Sequence, residues 1–143
     1  MAVEWRELPT WLNVTERVRW LKRLANEHGK AIKHATYTNL TAEKIAKLNE
    51  QFLQHSYPTD VITFCYSERK EKGISYEAYI SVDVIIENAR SCGGLVEDEL
   101  DRVIAHALLH CLGYDDKEGH ERKIMRRMEE KFLVNRNKVS RGT

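Results

Sequence analysis

The sequence predicts an α+β fold, a single domain in which a small mixed β-sheet is covered by helices and a metal site lies at the end of a central helix. Three observations lead there. With 143 residues the chain is long enough for one compact core and too short for two comfortable domains. Segments rich in β-branched and aromatic residues occupy 33–38, 61–67 and 77–82, and stretches with apolar residues at helical spacing lie around them. Hydrophobic residues at 42% and charged residues at 31% fit an ordinary globular core and argue against disorder, collagen-like repeats and coiled coil.

Taken in order, Thr15 caps a first helix on which Val18, Leu21, Leu24 and Ala25 recur, and His28-Gly29 ends it. Residues 33–38, KHATYT, alternate and form a strand, after which Thr41 caps a helix carrying Ile45, Leu48 and Phe52. Turn chemistry over 56–60, SYPTD, opens the strand VITFCYS. A charged linker, SERKEKG at 67–73, leads to EAYISV, so these two strands are expected to pair as a hairpin. Residues 84–92 return to helix until Gly93-Gly94, and a major helix runs from about Glu97 with acidic residues near its start. Its core face is Leu100, Val103 or Ile104, Ala107, Leu108 and Cys111; Gly113 ends it. A last helix, HERKIMRRMEEKFL, sets Ile124, Met128 and Phe132 on one side, so the domain spans 1–134 and residues 135–143 read as a fraying tail.

The net charge of +1 supplies no global basic field, so a nucleic acid would be bound through a local patch. The first twelve residues lack the apolar core of a secretory signal, and no run approaches the length of a membrane span, so no membrane partner is expected. Cys65, Cys92 and Cys111 are odd in number and lack C-x-x-C spacing, which suits reduced, buried thiols in a cytoplasmic protein.

The chemistry concentrates in HALLHCLGYDD, residues 106–116. His106 and His110, four apart, share one helix face and can converge on one ion. Gly113 lets the chain turn sharply, and Asp116 can fold back to close a three-sided cage that leaves a fourth position open, as in a catalytic zinc site. His120 competes with Asp116 for the third place, and Asp115 is a weaker alternative. A carboxylate ligand admits harder ions, which leaves the identity of the divalent metal open, Zn2+ being the expected one. In H-E-x-x-H proteases the residue after the first histidine is the general base; here it is Ala107, which favours a substrate other than peptide.

These residues resemble the YbeY family of metal-dependent endoribonucleases. The family's H-G-x-L-H-x-x-G-Y-D-H is matched by His106-Ala107-Leu108-Leu109-His110-Cys111-Leu112-Gly113-Tyr114-Asp115-Asp116, with 99–104 suitable before it. Its L-N and P-T-D-V-L-S-F elements are matched by Leu48-Asn49 and Pro58-Thr59-Asp60-Val61-Ile62-Thr63-Phe64, and its G-D-I-x-I-S strand and following helix by 79–83 and Glu87-Asn88-Ala89. The chain departs from the pattern at Asp116, where the family has a third histidine, at Ala107, at Tyr76-Glu77, and at Leu53, which stands where the family commonly has an arginine near metal and substrate. His55 or a basic residue from another element would have to compensate. The resemblance implies cleavage of single-stranded RNA in ribosomal RNA maturation and ribosome quality control, with the ribosomal small subunit and assembly factors as further partners.

Other features have plainer readings. Pro58-Thr59-Asp60 reads as a turn opening a strand and stays outside the catalytic set, in which no general base is assigned. Arg122, Lys123, Arg126 and Arg127 interleave with Glu121, Glu129 and Glu130, as on a solvated helix face. Tyr114 either stacks on a base or packs at the helix end. Two other function classes stand beside the nuclease: a minimal metalloprotease, opposed by Ala107, and a non-catalytic assembly factor using the metal as a clamp, favoured by Leu53.

Overall fold

A computed structural model describes residues 2–53, 59–115 and 118–136 of the chain. Four strands and five helices follow in the order β1 (Val3–Arg6), α1 (Val14–Glu27), β2 (Ala31–Asn39), α2 (Ala42–Leu53), β3 (Val61–Cys65), β4 (Gly73–Ile80), α3 (Val82–Cys92), α4 (Val96–Cys111) and α5 (Gly119–Asn135). The sheet order is β1-β2-β4-β3, with β1 and β4 parallel to β2 and β3 antiparallel to β4. This is the mixed sheet expected, and the β3–β4 hairpin is the pair expected.

The buried side of the sheet follows from alternation. On β4, Ile74, Tyr76, Ala78 and Ile80 are buried while Ser75, Glu77 and Tyr79 face the other way. Against this side lies α4, buried almost all round through Leu100, Val103, Ile104, Ala105, Ala107, Leu108 and Leu109. One stripe of it, carrying Glu99, Arg102, His106 and His110, stays partly exposed, and α1, α3 and α5 flank the helix. The Tyr37 hydroxyl fixes the layers together: it donates to the Ile104 carbonyl at 2.9 Å and accepts from the Tyr76 hydroxyl at 2.8 Å.

Several local expectations change. Strand β1 has no counterpart in the sequence reading; it is held by parallel pairing to β2, burial of Val3 and stacking of Trp5 on Tyr37. Asn13, not Thr15, caps α1, accepting from the Glu16 amide at 3.1 Å. Thr41 does cap α2, but that helix buries Ile45 and Asn49 and leaves Phe52 exposed. Val82 opens α3 instead of ending the strand, because the Ser81 hydroxyl caps the turn. On α5 the buried stripe is Met125, Glu129 and Phe132, with Ile124 exposed. The expected stripe Ile124, Met128 and Phe132 shares only Phe132 with it, because Glu129 reads as polar surface. Arg136, assigned to the tail, pairs with Asp98 and, at 3.0 Å, with Asp101; residues 137–143 lie outside the described residues.

The cysteine expectation is overturned for two of the three residues. Cys65, the last residue of β3, and Cys111, the last of α4, form a disulfide with Cα atoms 5.7 Å apart. Cys92 is free but exposed. A sequence separation of 46 gave no hint that a strand end and a helix end would abut. The described residues contain no helix long and apolar enough to cross a membrane.

Candidate active site

The position of α4 is fixed at its start by charge. Arg17 of α1 reaches Asp101 with both Nε (3.0 Å) and Nη2 (3.2 Å), and the two side chains are only 9% and 3% exposed. Five residues further along the helix comes His106, and one turn later His110; both are half-buried. The chain leaves α4 through Gly113, whose φ of +109° a side chain would strain. The hydroxyl of Tyr114 lies 3.1 Å from His28 Nε2, with the two rings edge to face, so packing at the helix end is its role.

His106 is gripped from the neighbouring helix. Its Nδ1 lies 2.7 Å from Oε2 of Glu129, a residue only 6% exposed. The contact ties the ring, on α4, to a carboxylate of α5. Sequence reasoning missed Glu129, placing it on a solvated face; its signal was the i, i+4, i+7 stripe Met125–Glu129–Phe132.

A groove of about 730 Å³ opens beside His106, between the C-terminal end of α3, the outer side of α4, α5 and the entry to β3. Thr59 and Asp60, set aside as a turn, line it. Residues 56–58 of that turn lie outside the described residues; the Asp60 carbonyl accepts from the Ser81 amide at 3.0 Å and so extends the β3–β4 pairing by one bond. Burial pushes the Asp60 carboxyl up from the ordinary carboxylate range; nearby His106 opposes this, and Glu99 and Glu129 reinforce it. The groove's charged lining is mainly acidic: Asp60, Asp98, Glu99, Glu129 and Glu130 stand beside two arginines. Arg102 is committed to Glu130 at 3.1 Å, with its Nε 3.4 Å from Glu99. Arg126 is exposed on the lip.

Of the expected ligands, His106 and His110 stand on one face of α4. Asp116 and the possible compensating His55 lie outside the described residues. Among the described residues no group of three His, Cys, Asp or Glu side chains is gathered closely enough to hold a metal. His120 is exposed in the first turn of α5, 4.0 Å from Glu118. The donor chemistry nevertheless fits a divalent ion: two imidazoles one turn apart, one backed by a carboxylate in the way that metal-binding histidines usually are.

The comparisons with known proteins agree with one another. Residues 10–137 match the family model described as Endoribonuclease YbeY. The chain belongs to the YbeY endoribonuclease family. It is similar to the Endoribonuclease YbeY of Bacteroides thetaiotaomicron, 41% identical over 85% of this chain and 87% of the relative, and to that of Cytophaga hutchinsonii, 40% identical over 80% and 79%. Its fold is similar to the solution structure of a Thermotoga maritima protein at a TM-score of 0.68, with 26% identity over 98% of this chain and 92% of that one. By family the enzyme is a nuclease, and the chemistry to be explained is cleavage of an RNA phosphodiester.

Proposed function

We propose that this YbeY-family protein is a metal-dependent endoribonuclease acting on single-stranded regions of ribosomal RNA, in maturation and quality control of the ribosome. The observation that carries the reading is His106, in contact with Glu129, at the wall of a groove of about 730 Å³. His106 and His110 bind the ion, with Asp116 as the third ligand. A divalent ion, Zn2+ in this reading, supplies Lewis acidity and activates water when bound. Glu129 orients His106, Asp60 faces the same groove and can take a hydrogen bond from substrate, and Arg126 meets a phosphate at the lip. Ala107 is fully buried in the core and offers no base, which speaks against the protease reading.

The ribosomal small subunit and its assembly factors are the partners that such a substrate brings with it, and the work is cytoplasmic. That location rests on the RNA substrate, because the Cys65–Cys111 disulfide removes the argument from reduced thiols. The test is the metal content of freshly purified wild type, Asp116→Ala and His120→Ala, read beside cleavage of a single-stranded RNA. The reading expects metal and cleavage to be lost together in Asp116→Ala and kept in His120→Ala. Loss confined to His120→Ala would replace the third ligand, and undiminished cleavage in metal-stripped wild type would overturn metal dependence.

A further inference from the structure

We infer that Glu129 is the positioning residue of His106, selecting the tautomer that keeps the ring's lone pair on Nε2. The contact is 2.7 Å from Nδ1 to Oε2, and the Glu129 side chain is 8% exposed, so water competes weakly for it. Its own conformation is set by packing. Met125 and Phe132, on the same stripe of α5, are buried at 2% and 0% and hold that face against α4. The adjacent carboxylate does a different job: Glu130 is exposed and takes the Arg102 guanidinium at 3.1 Å. Two consecutive glutamates thus divide between an imidazole and a guanidinium, one inside and one at the surface.

A carboxylate behind Nδ1 does two things to an imidazole. It fixes the ring plane, and it makes Nε2 more basic, which strengthens any bond Nε2 makes to a cation. The metal consequence rests on the centre proposed above, whereas the tautomer of the ring belongs to the protein alone. A merely structural Glu129 would tie α4 to α5 and leave the tautomer indifferent.

The experiment reads both properties. In metal-free wild type at mildly alkaline pH, long-range 15N–1H correlation of the His106 ring is expected to show the Nδ1–H tautomer. In Glu129→Ala the ring should populate both tautomers, and in Glu129→Gln, whose amide can accept or donate, the bias should weaken. Competition with a chromogenic chelator for Zn2+ should show affinity falling about 10–100-fold in Glu129→Ala, with Glu129→Gln between it and wild type. Glu130→Gln should leave both readouts unchanged. Circular dichroism checks folding, and if Glu129→Ala does not fold, the shape-conserving Glu129→Gln decides. An Nε2–H tautomer in wild type, or a folded Glu129 variant with the wild-type tautomer and Zn2+ affinity, would overturn the inference. A wild type that takes up no Zn2+ overturns the metal centre proposed above instead, and the tautomer still decides the part played by Glu129.

Discussion

The pair that seats the central helix offers a large stability effect. Arg17 and Asp101 meet through two hydrogen bonds at 3.0 and 3.2 Å, with side chains 9% and 3% exposed. Asp101→Ala takes its buried partner from a buried guanidinium and leaves it only the exposed Glu97, so the cost approaches the ~3–5 kcal/mol of a broken buried pair. At this chain length the loss lowers Tm by about 10–20 °C. Glu97 also pairs with Arg17, at 2.8 Å, but is 64% exposed, so Glu97→Ala should cost less than about 1 kcal/mol. Removing both buried charges together, as Arg17→Met with Asp101→Leu, should recover most of the loss, because Arg136 retains Asp98. Differential scanning calorimetry and urea titration read all three variants. An Asp101→Ala cost as small as that of Glu97→Ala, or a double variant no more stable than the single, would refute the reasoning.

Other predictions follow from separate parts of the fold. Without reductant, one thiol (Cys92) should react with a thiol reagent in denaturant, and three after reduction; reduction should lower stability by about 4 kcal/mol from the loop entropy of a 46-residue closure, and equal thiol counts would contradict the bond. Burial pushes the Tyr37 and Tyr76 hydroxyls well above the ordinary phenol value. Folding therefore holds two protons that the unfolded chain releases at high pH, and stability should fall as pH rises above the unfolded value of about 10. Absorbance titration should show these two phenols ionising only with unfolding, and their early ionisation in folded protein would refute their burial. Arg126→Glu should weaken binding of single-stranded RNA and reduce the salt slope of binding by about one phosphate contact; an unchanged slope would remove Arg126 from the substrate path.

Local chemistry made part of this legible and long-range chemistry hid the rest. The hairpin, the α4 core face and the Thr41 cap could be read because each is decided within a few residues. Strand β1 could not, since four residues carry little periodicity and parallel pairing to β2 stabilises them from 32 positions away. Glu129 reads as a surface carboxylate and Asp101 gives no sign of burial, because their partners His106 and Arg17 lie 23 and 84 residues distant. From its neighbours Asp60 reads as a turn residue, but its carbonyl extends the β3–β4 pairing and the residue lines a groove that exists only once α4 and α5 pack nearby. The His106–His110 spacing, in contrast, is a property of one helix and needed no tertiary information.

The account stands most directly on cleavage of single-stranded RNA by wild type, His106→Ala and His110→Ala, each assayed beside its metal content. Wild type is predicted to hold one divalent ion and cut the RNA, and both variants to lose the ion and the cutting together. Wild-type rates in both metal-free variants would contradict it.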